Sequence, residues 1–412
     1  MTSLTLILAI LPIAASGAAL DPQTALRVDA DFPGGNIIFE RIEGDVVCVR
    51  QDVRDTAGNW FYWCFRVRGA AGRTLTFRFT KGHAIGARGP AVSLDGGRTW
   101  AWLGADAVTV RAPAGAKWVE QDASFRHTFS AGADDVRFCM TIPYLEFHLK
   151  EFLAKHAKNP ALTVETLCKS QQGRDVELLR VGRGDGSPDH RVLLTARHHA
   201  CEAIANYVME GILDTALAPG EDGEWFRRHV EIMAVPFMDK DGVEDGDQGK
   251  NRRPHDHNRD YLQEIYPSVK SLKEKAPAWS GGKLRIAIDL HCPWLRGGIN
   301  ETIYIAGGSA RVAEFTKILE AVQQGPLPFK DRRPDARDSN KAAESDKQSG
   351  KPKKMQDAKL MSCSGWTSSL PGIRIATTIE TPYANASGKE VNADSARAFG
   401  RDVARAIRRF LE

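Results

Sequence analysis

The sequence predicts an all-β sandwich domain followed by an α/β domain, whose mixed, mostly parallel sheet is flanked by helices. Three observations predict it. Residues 22–142 hold short β-rich runs punctuated by turn signals such as Asp95-Gly96-Gly97. From about residue 160 onward, strand-like and helix-like segments alternate, the pattern of a sheet covered on both faces. Residues 329–359 interrupt that alternation and are rich in Lys, Asp, Ser and Pro, a composition with too little apolar surface to pack. At 412 residues the chain is long enough for two domains, and its 42% hydrophobic and 26% charged content is a globular mix rather than a disordered one. A net charge of +4, with Lys and Arg scattered among Asp and Glu, excludes nucleic acid as the main partner.

The elements follow in order. Residues 4–19 are nearly all apolar and end in Ser16-Gly17-Ala18-Ala19, so residues 1–19 read as a signal peptide and the chain as exported, to a periplasm or the exterior. The n-region carries only the amino terminus as positive charge, which leaves an uncleaved anchor or an upstream false start as alternatives. No later run reaches the roughly 20 apolar residues a spanning helix needs. Residues 20–143 form the β domain. Its strands are expected at 37–39, 46–49, 60–65, 75–79 and 91–93, and every second residue of 74–79 is apolar, the mark of a strand with one face in a core. Residues 144–412 form the α/β domain. Helices are expected at 145–156, 203–217, 310–322 and 396–411, and strands at 176–181, 191–196, 230–236, 284–290, 302–306 and 373–379. Seven cysteines show no CxxC spacing, and one bridge among Cys48, Cys64 and Cys139 is compatible with their places.

In open α/β sheets ligands bind beyond the carboxyl ends of the strands. Four such ends carry polar clusters: Arg197-His198-His199-Ala200-Cys201-Glu202, Asp239-Lys240-Asp241-Gly242 with the loop to Asn258-Arg259, His291, and Glu380. His199 and Glu202, three apart where a turn enters a helix, can face one ion, and His291 would be the third ligand. Two His and one Glu with an open fourth position is a catalytic zinc arrangement, one ion per chain. His198, four residues before Glu202, competes with His199, which is preferred. Asp289 reads equally as a residue orienting a ligand histidine or as a strand-end turn residue.

These segments resemble funnelin-type zinc metallocarboxypeptidases, most of all the cytosolic-carboxypeptidase-like subfamily. Ala196-Arg197-His198-His199-Ala200-Cys201-Glu202 is similar to its zinc motif and Asp289-Leu290-His291 to its third-ligand motif. Residues 236–243 are similar to its Asn-Pro-Asp-Gly stretch, Gly249-Lys250-Asn251-Arg252 with Asn258-Arg259 to its substrate-binding stretch, and Thr377-Thr378-Ile379-Glu380 to its catalytic-glutamate strand. Trp60-Phe61-Tyr62-Trp63 and Asp95-Gly96-Gly97-Arg98-Thr99-Trp100 resemble its accessory β domain. The resemblance implies a zinc carboxypeptidase-like fold and a Zn2+-dependent exopeptidase acting on peptide or protein C-termini. Metal-activated water would attack the scissile carbonyl, with Glu380 as general base. Arg252 would stabilise the oxyanion, preferred over Arg253 for its Gly-x-x-Arg spacing, and Asn258 and Arg259 would hold the substrate's terminal carboxylate.

The chain departs from the family in three places. Ala200-Cys201 replaces a Pro-Gly, Asp239-Lys240 replaces Asn-Pro, and residues 362–367 lack the usual mobile-loop Tyr, for which Tyr383 is a weak substitute. Arg296 and Arg374 are candidates for reading an acidic C-terminal side chain. Two other readings remain open: a cell-wall peptide carboxypeptidase or amidase, and a non-catalytic binding protein whose β domain presents Trp60, Trp63 and Trp100. The intact set His199, Glu202, His291 and Glu380 favours catalysis.

Overall fold

The computed structural model describes residues 25–113, 116–182, 188–331 and 360–412. The expected signal peptide at 1–19 and all but the first residues of the 329–359 stretch lie outside the described residues.

The N-terminal domain is two five-stranded sheets. One runs β1 (Arg27–Asp29), β4 (Cys64–Arg68), β10 (Val136–Cys139), β6 (Ala91–Ser93) and β7 (Ala101–Trp102). The other runs β2 (Ile38–Glu43), β3 (Val46–Arg50), β5 (Thr74–Phe79), β9 (Asp122–Thr128) and β8 (Val108–Arg111). Alternation along β5 does what the sequence predicts: Leu75, Phe77 and Phe79 are buried while Thr74, Thr76 and Arg78 are half-exposed. The two inner faces meet through phenylalanines. Phe77 and Phe125 of one sheet lie 5.2 and 5.0 Å, centroid to centroid, from Phe138 of the other, and Phe77 is 5.3 Å from Phe65. Each buried ring contributes roughly 2–3 kcal/mol by area alone.

The run at 60–65 behaves differently from expectation. Only its last two residues enter a strand, because a segment with Trp60, Phe61, Tyr62 and Trp63 all buried has no side left for water. Its rings serve as a bridge between domains: Trp60 and Phe61 pack on Trp294 of the second domain at 5.1 and 4.9 Å. Trp63 is core, and Trp100 is half-buried with its indole N–H donated to Gly97 O.

The second domain is built on a seven-stranded sheet ordered β11 (Leu162–Lys169), β12 (Asp175–Val181), β14 (Val230–Val235), β13 (His190–Ala196), β15 (Leu284–His291), β17 (Ile375–Glu380), β16 (Tyr304–Ala306). The four central strands are parallel and the outer ones antiparallel. Every residue of β14 is buried, as a strand covered on both faces requires. Helices α1 (Glu146–Lys155), α2 (Ile204–Leu217), α3 (Glu221–His229), α4 (Lys240–Asp245), α5 (Pro267–Ser280), α6 (Ala310–Val322), α7 (Cys363–Thr367) and α8 (Ala393–Leu411) complete the domain. On one face α2 and α8 cross so closely that a Cβ on Gly211 would stand 2.0 Å from Arg397 O, and one on Gly400 2.1 Å from Val208 O. The apolar core on this face is continuous with the sandwich core, and a second cluster fills the opposite face beneath α5 and α7.

Two expectations change. Phe329, placed by sequence in the exposed loop, is buried against Phe399, so the core reaches further along the chain than composition suggested. All seven cysteines are free, although Cys64 and Cys139 face each other as register partners on β4 and β10.

Candidate metal centre and active site

The parallel register brings four strand ends to one edge. Thr195 pairs with Val235, Ala196 with Leu290, and His291 with Glu380. Beyond Ala196 the chain turns sharply. Arg197 adopts a φ of 59°, a conformation that strains a non-glycine residue by about 1–3 kcal/mol. Its buried guanidinium holds the turn by donating to Ala200 O at 2.8 Å, Tyr144 O at 2.8 Å and Asn206 Oδ1 at 3.0 Å.

This turn sends the two adjacent histidines to different partners. His199 Nδ1 lies 3.0 Å from Glu202 Oε1, and His291 Nδ1 lies 2.6 Å from Glu202 Oε2. The ligand atoms of these three residues all fall within 4.8 Å of one another. His198 is fully buried on the far side, with Nδ1 2.8 Å from Asp289 Oδ1 and Nε2 2.8 Å from the Tyr261 hydroxyl. Burial lowers the His198 pKa, so its neutral ring donates from Nδ1 to Asp289 and accepts at Nε2 from Tyr261. Asp289 also accepts from Thr195 Oγ1 at 2.8 Å and meets His291 Nε2 at 2.6 Å through its other oxygen. It is therefore an orienting group between the two imidazoles.

The donor set fits zinc. Two imidazoles present Nδ1 toward one carboxylate, while their Nε2 atoms face carboxylates of their own: Asp289 for His291, and Asp256, 3.6 Å away, for His199. The 2.6 Å contact with Asp289 fixes the His291 tautomer that leaves Nδ1 free to bind a metal, whereas the Asp256 contact with His199 is too long to be a hydrogen bond. Burial opposes ionisation of Glu202, but Lys250, His199 and His291 together hold its carboxyl well below the usual range, as a metal-binding carboxylate needs. Glu380 ends β17 beside His291; its Oε2 is buried without a hydrogen-bond partner, and burial raises its pKa.

Asn258 and Arg259 lie on a 3-10 turn beside this cluster. Asn258 Nδ2 is 3.1 Å from His291 Nε2, and its Oδ1 accepts from the backbone N–H of Cys363 at 2.9 Å. Arg259 is exposed, donates to Asn258 O at 2.9 Å, and has no ion pair among the described residues. Arg296 follows β15 and its guanidinium contacts His83 of the sandwich, whereas Arg374 sits at the opposite end of β17 from Glu380. Arg374 is thus too far along the sheet to read a substrate bound here. Tyr383 is buried with its hydroxyl 3.5 Å from Cys201 Sγ, a fixed position unlike that of a mobile-loop tyrosine.

Arg252, expected to meet the oxyanion, is held among carboxylates. Its guanidinium is enclosed by Asp239 at 2.9 Å, Asp247 at 2.8 Å and Asp55 of the sandwich at 3.2 Å, and Arg253 is exposed. Among the described residues Arg252 makes no ion pair with Glu202 or Glu380. Burial pushes Asp239 up to about 6; burial and the neighbouring Asp55 push Asp247 up to about 7. The cation that does reach the cluster is Lys250, its Nζ 2.6 Å from Glu202 Oε1. Sequence reasoning passed over it for the arginine two residues on. It also passed over Asp55, whose carboxylate accepts from the backbone N–H of Gln248 at 3.1 Å and of Gly249 at 2.8 Å.

Comparison with known proteins agrees with this geometry. Residues 149–281 match the family model described as zinc carboxypeptidase. Human cytosolic carboxypeptidase 2 is 29% identical over 153 residues, 34% of this chain and 17% of that protein. Cytosolic carboxypeptidase 6 of Caenorhabditis elegans is 24% identical over 297 residues, covering 65% of this chain and 62% of that one. The chain thus spans less than a fifth of the length of the human and Macaca fascicularis cytosolic carboxypeptidase 2 proteins it matches. In fold, a metallo-carboxypeptidase from Burkholderia cenocepacia superposes with a TM-score of 0.70 at 18% identity, over 94% of this chain and 99% of that one. A metallo-carboxypeptidase from Pseudomonas aeruginosa, in complex with (2-guanidinoethylmercapto)succinic acid, gives 0.67 at 20% identity over 93% and 99%. The structural matches cover the sandwich as well as the α/β domain and show a shared fold, while residues 149–281 are the part that resembles the zinc carboxypeptidase family.

Proposed function

We propose that the protein is a zinc-dependent carboxypeptidase that hydrolyses the C-terminal peptide bond of peptides or proteins. The observation that carries this reading is the convergence of His199, Glu202 and His291 beside Glu380, with Arg259, which has no ion pair among the described residues, next to Asn258. His199, Glu202 and His291 would hold one zinc, which supplies a Lewis acid and a water acidified toward pKa ~7. Glu380 takes a proton from the attacking water as its oxygen bonds to the carbonyl carbon. It returns that proton to the departing nitrogen as the C–N bond breaks, leaving a carboxylic acid and an amine, and transfer of the acid's remaining proton to the amine gives carboxylate and ammonium. The partnerless Glu380 Oε2 suits that work. Arg259 grips the substrate's terminal carboxylate with a guanidinium fork, which makes the reaction an exopeptidase one.

The test is a pair of peptide sets identical except for a free or amidated C-terminus. Free-acid peptides should be shortened by one residue, with loss on chelation and recovery with zinc, and Arg259→Ala should raise KM about 10-fold or more, as loss of a charge-assisted bidentate contact implies. Equal cleavage of amidated peptides would favour the amidase reading, and Glu380→Gln turning over at the wild-type rate would end the proposed mechanism. The proposal includes export, on the strength of the apolar 1–19 leader. Amino-terminal sequencing of the cell-derived protein tests it, with cleavage near Ala18 or Ala19 expected.

A further inference from the structure

We propose that Cys64 and Cys139, free thiols in the structure, are a site of covalent modification: they join as a cross-strand disulfide when the chain folds in the presence of a disulfide oxidant, and the bridge staples the seam between the two domains. The two cysteines are direct register partners on the antiparallel strands β4 and β10. Backbone hydrogen bonds fix which kind of partners they are. Cys64 turns its polar backbone groups away from β10, donating its N–H to Asn36 O at 2.8 Å and accepting from Asn36 N at 2.7 Å. The bond that does cross to β10 runs one residue along, from Met140 N to Trp63 O at 3.0 Å. Cys64 and Cys139 are therefore a non-hydrogen-bonded pair, the closer of the two antiparallel kinds, with Cα atoms about 4.5 Å apart and side chains on one face. That separation falls within the roughly 4.4–6.8 Å that a disulfide spans. Cys48, the other sandwich thiol, is on β3 of the opposite sheet and accepts from Arg78 at 3.4 Å, so it does not compete.

The neighbours of the pair, Phe65 and Phe138, turn into the sandwich core with rings 5.6 Å apart. By alternation Cys64 and Cys139 turn to the outer face of the sheet, where both are buried, Cys64 close to Gly34, Pro143 and Leu145. Beyond the pair both strands leave the sandwich for the second domain. Trp60 and Phe61, just before Cys64, pack on Trp294, and Tyr62 donates its N–H to Gln248 Oε1. Just after Cys139, Pro143 O accepts from the Tyr207 hydroxyl at 2.7 Å, and the Tyr144 hydroxyl donates to Glu210 Oε1 at 2.7 Å. A bond between the sulfurs ties these two connecting segments at their root. In forming it, the thiolate of one cysteine attacks a sulfur of a small or protein-borne disulfide and expels one thiol. The thiolate of the other then attacks the mixed disulfide and expels the second. Two protein thiols are oxidised, one external disulfide is reduced to two thiols, and the two protons pass to those leaving sulfurs. Closure belongs to strand assembly, because in the folded chain burial and the adjacent Cys139 raise the Cys64 thiol well above its ordinary range, and a buried thiol exchanges slowly. Export, proposed above, would bring the chain to such an oxidant.

The experiment synthesises the full chain in a cell-free system, either in a buffer of oxidised and reduced glutathione or in dithiothreitol. Free thiols are alkylated under denaturing conditions and the unreduced tryptic digest is read by mass spectrometry. Trypsin leaves each cysteine on a peptide of its own, so the expected product is residues 55–66 linked to residues 138–150, with the other five cysteines alkylated. The linked chain should melt roughly 5–10 °C above the reduced one, as closing the long loop between residues 64 and 139 implies. Cys48→Ala should keep that difference, and the double variant Cys64→Ala, Cys139→Ala should lose it. Both thiols free after synthesis in glutathione, or either one joined to a different cysteine, overturns the inference. A 64–139 link that leaves the melting temperature unchanged overturns the stapling role. The peptide map needs no variant, so it decides the pairing even where the double variant does not fold, and none of these outcomes depends on the carboxypeptidase reading.

Discussion

Replacing Asp289 with asparagine should weaken zinc binding about 10–100-fold while leaving the protein folded. Asp289 is buried and serves three donors with two oxygens: Thr195 Oγ1 and His198 Nδ1 on Oδ1, each at 2.8 Å, and His291 Nε2 on Oδ2 at 2.6 Å. Asparagine keeps one oxygen and puts an NH2 where the other stood. If the NH2 faces His291, that ring must move its proton to Nδ1, the atom directed at Glu202, and Nδ1 can no longer bind a metal. If the NH2 faces His198 instead, His198 must change tautomer and Tyr261 must reverse its hydroxyl. Either way one hydrogen bond to a charged group is lost, worth about 1.5–3 kcal/mol, which at about 1.4 kcal/mol per decade is the 10–100-fold range seen when a ligand histidine loses its carboxylate partner. Competition with a chelator of known affinity measures it directly. Asp256→Asn is the internal control, because its 3.6 Å contact with His199 Nε2 is too long for a strong hydrogen bond and should cost less. A zinc affinity for Asp289→Asn within threefold of wild type would refute the claim that this carboxylate sets the ligand tautomer.

Three other predictions concern the loop that joins the domains. Gly249→Ala should lower stability to denaturant by roughly 2–4 kcal/mol and impair zinc uptake, since its Cβ would stand 2.0 Å from Ala200 N at a φ unsuited to alanine; a stable variant with full zinc content would mean the loop relaxes freely. Arg252→Ala should cost about 3–5 kcal/mol in unfolding free energy by leaving Asp55, Asp239 and Asp247 without their shared cation; a loss of turnover with an unchanged melting temperature would contradict that structural role and favour the oxyanion role expected from sequence. Asp247→Asn should flatten the pH dependence of stability between about pH 4 and 7. The Asp247 carboxyl is raised from 3.8 to about 7, so the folded state holds its proton more tightly than the unfolded chain, and the stability this gives below pH 4 is lost as pH rises to 7. After allowance for its partial exposure the wild-type loss is on the order of 1–2 kcal/mol, and melting curves of equal slope against pH in the two proteins would contradict it.

Much of the molecule was legible because its signals are local. Alternation in β5, the unbroken apolar run of β14 and the amphipathic α8 each carry their own periodicity, and the ligand-bearing positions stand at strand ends, where such sheets place their sites. Where the sequence misled, non-local partners were responsible. Trp60 to Trp63 has the composition of a strand, yet Trp294, more than 200 residues on, turns part of it into a domain contact. Pro277 lies inside α5, a helix no periodic reading placed, and the core beneath α5 holds it.

By itself the sequence determined the two-domain order, the sheet with helices on both faces, and the residue types that gather at its carboxyl edge. These follow from patterns a few residues long, which every strand or helix must satisfy on its own. Only the tertiary structure decided which of two adjacent histidines faces Glu202, that Asp289 orients rather than caps a turn, and that Lys250 pairs with Glu202 while Arg252 pairs with three aspartates. Those choices depend on the backbone angle at Arg197, on the contact of Gly249 with Ala200, and on Asp55 reaching across from the other domain. The physical reason is that a side chain's direction is set by whatever packs against it in space, and such partners leave no trace in the spacing of neighbours along the chain.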